Sequence, residues 1–125
     1  MVTMRKWFPS RADIRREMET ALESAQNEAD KGNPDTMQAF LDEASEKANM
    51  LREDIRDRVK TIRQTGYEKA LQVELEQADN FAQTGNTRMA DLHLKIAETH
   101  AAELGNVAME RVERERSRLG VPTSD

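Results

Sequence analysis

Residues 22–51 read LESAQNEADKGNPDTMQAFLDEASEKANML, and residues 75–104 read LEQADNFAQTGNTRMADLHLKIAETHAAEL. At an offset of 53, Leu22, Glu23, Ala25, Asn27, Ala29, Gly32 and Asn33 fall on Leu75, Glu76, Ala78, Asn80, Ala82, Gly85 and Asn86. Further along, Leu41, Ala44, Ala48, Leu51, Arg58 and Val59 fall on Leu94, Ala97, Ala101, Leu104, Arg111 and Val112. From Ile14 to Ile62 this gives 13 identities over 49 positions. A fixed offset of this kind marks one supersecondary unit used twice. The Gly-Asn pair at the middle of each stretch says what the unit is. Gly enters the left-handed conformation that ends a helix without a Cβ penalty. Asn33 then caps the next helix, and Pro34 suits its first position, where a missing N–H costs nothing. Each unit therefore reads as a helical hairpin.

Outward from the turns, apolar residues recur at helical spacing. The first helix starts at Ser10, an N-cap with Asp13 three residues on, and its stripe is Ile14, Met18, Leu22, Ala25 and Ala29. The second stripe is Met37, Leu41, Ala44, Ala48, Leu51, Ile55, Val59 and Ile62, close to a heptad seam. The second unit repeats the pattern with Tyr67, Leu71, Leu75, Ala78 and Ala82, then Leu94, Ala97, Ala101, Leu104, Ala108 and Val112. Gly105-Asn106 aligns with Arg52-Glu53 inside the first unit's longest stripe, and is read as helix interior. The expectation is an all-α fold, an antiparallel four-helix bundle of two tandem hairpins (residues 10–64 and 66–119), with tails at 1–9 and 120–125. A helix running on through Gly66 gives the alternative, an elongated three-helix coiled coil.

Composition narrows the function classes. The chain has 125 residues, 15 Ala, 7 Met and no Cys, so a disulfide framework, a thiolate metal site and a thiol nucleophile are excluded. No run of 18 apolar residues exists, so no integral membrane association is expected. Arg5 and Lys6 are followed by no apolar core, so a secretory leader is not expected either; a cytoplasmic setting is. Alanine-lined seams bury little area per residue. Self-association would add burial, and the Phe40/Leu41 and Leu92/Leu94 pairs suggest a second apolar face, so a homodimer is expected.

Charge is sorted along the chain. Residues 1–16 carry +4, 17–46 carry −8, 47–71 carry +3 and 72–103 carry −4, while 104–125 are neutral. In an antiparallel fold the segments that are not negative meet at one end. Arg11, Arg15, Arg16, Arg56, Arg58, Lys60 and Arg63 form that basic end, a candidate contact for an anionic partner. The net charge of −5 disfavours phosphate binding over most of the surface, so a nucleic-acid regulator is a lesser alternative. Trp7 and Phe8, between basic residues and Pro9, are the one aromatic cluster and a candidate partner anchor, alongside Phe40 and Leu92.

No catalytic or cofactor site is expected. His93 and His100 lie seven apart on one helix side, with no Glu three residues before either, and two imidazoles do not make a metal site. Arg88 and His93 have an Arg-x4-His spacing that resembles the ribonuclease motif of HEPN domains, and the resemblance implies RNA cleavage by these two residues. In that family the residue after Arg is polar; here it is Met89. Gly-Asn-x3-Met/Ala-x3-Leu-x2-Ala, at Gly32–Ala44 and Gly85–Ala97, resembles the second half of a tetratricopeptide hairpin. The offset of 53 in place of 34 and the missing first-helix aromatics depart from that family. The reading reached is a non-enzymatic helical scaffold or adaptor that binds protein partners, or itself, through apolar helix faces.

Overall fold

The computed structural model of the chain describes residues 9–123. These form five helices: α1 (Arg11–Lys31), α2 (Pro34–Leu51), α3 (Arg56–Gln83), α4 (Thr87–Leu104) and α5 (Asn106–Leu119). The described residues contain no strand, and the fold is all-α.

The hairpin turns are where the Gly-Asn pairs put them. Ser10 accepts from the Asp13 N–H while Asp13 reaches back to the Ser10 N–H, a complete capping box. α1 ends on Gly32 at φ 75°, with Gly32 N–H to Ala29 O and Asn33 N–H to Glu28 O, both 3.0 Å. α3 ends the same way at Gly85, φ 80°, and Asn86 caps α4 through the Met89 N–H. These are Schellman ends, which satisfy carbonyls that the helix leaves open.

The two helix ends read as interior differ from expectation. α2 stops at Leu51 and α3 begins at Arg56; α4 stops at Leu104 and α5 begins after Gly105, φ 115°. The two breaks lie 53 residues apart, as do α2 and α4 along their whole length (Pro34 to Thr87, Leu51 to Leu104). Gly66, by contrast, ends nothing. It lies buried inside α3 and is the one glycine without a positive φ.

These boundaries change the architecture. The helices do not close around a single four-helix core. One core is built from α1, α2, Ile55 and Ile62; the other runs from Leu71 through α4 and α5 to Val121. No Cα of α1 or α2 comes within 8 Å of one in α4 or α5. The molecule is thus two three-helix units in a row, with α3 supplying the last helix of the first and the first helix of the second. Continuity through Gly66 is the element of the coiled-coil alternative that holds. Ala78, Ala90, Ala97 and Ala101 are buried in the second seam and Ala25, Ala29, Ala44 and Ala48 in the first. After α5, Val121 is buried in the second core and its N–H bonds to Arg116 O.

The α2 terminus carries the one non-glycine residue with positive φ among the described residues, Arg52, at φ 57° and ψ 40°. Arg52 N–H bonds to Asn49 O and Glu53 N–H to Ala48 O, the same Schellman pattern without a glycine. A side chain in this conformation costs about 1 kcal/mol. Arg52→Gly should therefore raise stability by up to about 1 kcal/mol, read as a higher denaturation midpoint at unchanged helicity. A lower midpoint would mean that the Arg52 side chain holds the turn.

Candidate functional site

The break at residues 52–55 opens a groove between the C-terminal half of α2 and the first turns of α3. It holds about 520 Å³. Its apolar floor is Ala48, Ile55 and Val59; Ser45 and Asn49 line the α2 side; Arg52, Arg56, Lys60 and Arg63 supply four cations. Two carboxylates lie on the same wall and both are engaged: Glu53 with Arg15, and Asp54 with Arg56 at 2.8 Å. Arg63 spans the junction of the two units, donating to Gln38 Oε1 on α2 and to Glu103 on α4, each at 2.9 Å. Its guanidinium also sits 5.3 Å from the centre of the Tyr67 ring. Arg52 and Lys60 have no side-chain hydrogen bond or ion pair to any described residue, and neither do Ser45 and Asn49.

Asp54 is the best-held acid of the groove. The Arg56 guanidinium bonds both its oxygens, the Arg56 N–H bonds Oδ1, and together they push its pKa down to about 2. On the other face of the first unit, Arg58 bonds both oxygens of Glu19 at 2.8 Å and lowers its pKa. Depressed carboxylate pKa values stabilise the fold above the unfolded-state values, and that stabilisation is lost as pH falls through the folded ones. Stability should therefore fall between about pH 4.5 and pH 2. Asp54→Asn should flatten the lower part of that decline in urea titrations at stepped pH. An unchanged slope would remove Asp54 from the account.

The remaining sequence candidates fall into place differently. Of the basic end, Arg56, Lys60 and Arg63 share the groove. Arg11 instead caps α2, donating to Leu51 O at 3.0 Å, Arg16 pairs with Asp13, and Arg58 lies across α1. The basic end is thus largely neutralised by local carboxylates. Phe40 is half-buried against the first core, while Leu92 is 47 % exposed on α4. Trp7 and Phe8 lie outside the described residues. His93 hydrogen-bonds Glu74 at 2.5 Å through Nδ1 and stacks on Phe81 at 5.3 Å; Arg88 is exposed. Five residues apart on one helix, Arg88 and His93 diverge by about 140°, so the motif's two groups are not brought together. His100 lies against Tyr67. No group of three or more metal-ligating side chains occurs among the described residues, and none of their helices is long and apolar enough to cross a membrane.

Arg52, Ser45 and Asn49 were not among the sequence candidates, nor was the buried cluster around Arg116. That arginine is 7 % exposed; its Nη1 donates to Asp91 at 2.6 Å and to Pro122 O at 3.1 Å, and its Nη2 to Glu98 at 3.3 Å. Comparison with protein-family models, with curated proteins and with solved structures gave no match.

Proposed function

We propose that the chain is a non-enzymatic helical scaffold that binds protein, and that its two units arose by copying one three-helix element in tandem. The tandem reading is supported by α2 and α4 sharing both boundaries at the offset of 53, and by Met18, Leu22, Leu41 and Ala48 having buried counterparts in Leu71, Leu75, Leu94 and Ala101. The binding reading rests on one observation above the rest, the open groove at the α2–α3 break, with an apolar floor and two cations, Arg52 and Lys60, that no described residue engages. Grooves with an apolar base and a few placed polar groups are where extended or helical segments dock. A cytoplasmic setting belongs to the same reading.

Self-association is part of the proposal. Leu92 is the member of the anticipated apolar face that stands exposed. Light scattering should give the mass of a dimer, and Leu92→Asp should return the monomer. A monomer at all concentrations would remove the dimer and leave the groove as the binding surface. The scaffold reading as a whole is tested against catalysis. Peptide selection on the immobilised protein should enrich binders, and RNA should not be cleaved. RNA cleavage lost in His93→Ala, with binding intact, would overturn it.

A further inference from the structure

The place that corresponds to this groove 53 residues on, between α4 and α5, is built differently. Arg63 corresponds to Arg116, and each bonds the residue 25 positions earlier, Gln38 for Arg63 and Asp91 for Arg116. In the second unit two carboxylates, Asp91 and Glu98, converge on the arginine, Pro122 O adds a third acceptor, and Val121 is buried alongside. Arg116 and Val112 are buried as a result. In the first unit the same places hold Gln38 and Ser45, neither of them charged. Lys60 stands where Glu113 stands, and Arg52 where Gly105 stands. Arg63 and Val59 are only half-buried. One unit therefore fills this place with its own carboxylates and with Val121 and Pro122. The other has neutral residues in place of the two acids that hold the arginine, bears Arg52, Arg56 and Lys60, keeps Glu53 and Asp54 in ion pairs, and leaves Val59 half-buried.

From this difference we infer that the first groove takes an acidic segment of a partner protein, whose carboxylates meet Lys60 and Arg52 and whose apolar side chain covers Val59. The inference rests on the scaffold reading and names the partner's chemistry. Charge complementarity selects the occupant, since Arg52 and Lys60 face the groove without a partner among the described residues, whereas Arg56 is held by Asp54, Arg63 by Gln38 and Glu103, and Glu53 by Arg15. The lining favours a peptide over nucleic acid. It contains no aromatic side chain on which a base could stack, and its floor is aliphatic.

The test uses the full chain and a fluorescein-labelled peptide of alternating Glu and Leu, followed by anisotropy, with the Gln-for-Glu peptide and a single-stranded RNA oligomer as comparisons. The acidic peptide should bind, the Gln peptide should bind much more weakly, and added salt should weaken the acidic one. Arg52→Gly with Lys60→Gln should reduce affinity about tenfold. Because Arg52→Gly relieves backbone strain, thermal melts of the variant should show no loss of fold. Equal binding of the two peptides, equal binding by the variant, or preferential binding of RNA would overturn the acidic-segment proposal. Failure here is distinct from failure of the scaffold. Selected peptides that bind the variant as well as the parent keep the scaffold and remove this groove. No selected peptide, together with a strict monomer, removes both.

Discussion

Gly66→Val should unfold the protein at a denaturant concentration well below that of the parent, at a cost of about 3 kcal/mol or more. The reason lies in how closely α3 crosses the first hairpin. A Cβ built on Gly66 would lie 2.2 Å from Met37 Sδ, 3.1 Å from Met37 Cε and 3.4 Å from Ala29 Cα. The last of these is already an ordinary contact with backbone, which leaves no room beside it for the two further methyl groups of valine, so branching at Cβ forces α1 and α3 apart. Gly66→Ala is a gentler change. It gains about 1 kcal/mol of helix propensity and asks only the end of the Met37 side chain to move, so its net cost should be about 1 kcal/mol. Met37 is wholly buried, and Met37→Ala alone should cost about 3 kcal/mol. Together the two alanine changes should cost less than their sum by about 1 kcal/mol, because the new methyl occupies space that the methionine vacated. Urea denaturation of the four proteins closes this cycle. Strict additivity, or a stable Gly66→Val, would show that α3 does not run unbroken past Met37 and Ala29.

The same residue shows what could and could not be read beforehand. Turn chemistry made the hairpins legible: Gly32 and Gly85 adopt the left-handed conformation their positions imply, and the stripes through Leu22, Leu41, Leu75 and Leu94 are buried as their spacing implies. The helix ends between the hairpins were not legible, for opposite physical reasons. Arg52 ends α2 in a conformation that non-glycine residues seldom take, so nothing in its identity marks the turn. Gly66 lies mid-helix because two helices need the space of its missing side chain, a tertiary demand that leaves no local trace. The repeat held the missing clue. Gly105 aligns with Arg52, and a glycine in one unit reports the backbone of both. Treating Gly105 as helix interior on the strength of Arg52 ran that inference in the wrong direction. The candidate site suffered likewise. Arg63 and Arg116 match one position beyond Ile62, where the repeat as read comes to an end, so the pair of arginines that anchors both grooves went unpaired in the sequence. Basic residues counted by segment placed 104–125 beside 1–16 and 47–71, whereas α5 makes no contact with α1 or α2. They did not separate Lys60, which is open, from Arg58, which Glu19 already holds in a two-point ion pair.

Arg63 and Arg116 should also respond unequally to the same substitution. Arg116→Met should destabilise the protein by about 3 kcal/mol, whereas Arg63→Met should cost about 1 kcal/mol. The difference follows from what each guanidinium leaves behind. Removing Arg116 takes a charged donor from two carboxylates in one place, Asp91 with its side chain 17 % exposed and Glu98 with its side chain 38 % exposed. Lys95, 3.3 Å from Asp91, offsets part of this, and Glu98 can turn toward water. Removing Arg63 strands less, since Gln38 is neutral and Glu103 already faces solvent with its side chain 46 % exposed. Arg116 also holds the segment after α5 through Pro122 O, so Arg116→Met should speed amide hydrogen exchange at Val121 while Arg63→Met leaves it unchanged. If stranded charge is the cause, Asp91→Asn and Glu98→Gln introduced with Arg116→Met should recover about half of the loss, because a buried amide costs less than a buried carboxylate. Recovery of nothing would mean that Arg116 acts through the packing of its long stem against the second core instead. Equal losses at the two arginines would remove the asymmetry between the units on which the acidic-segment proposal depends.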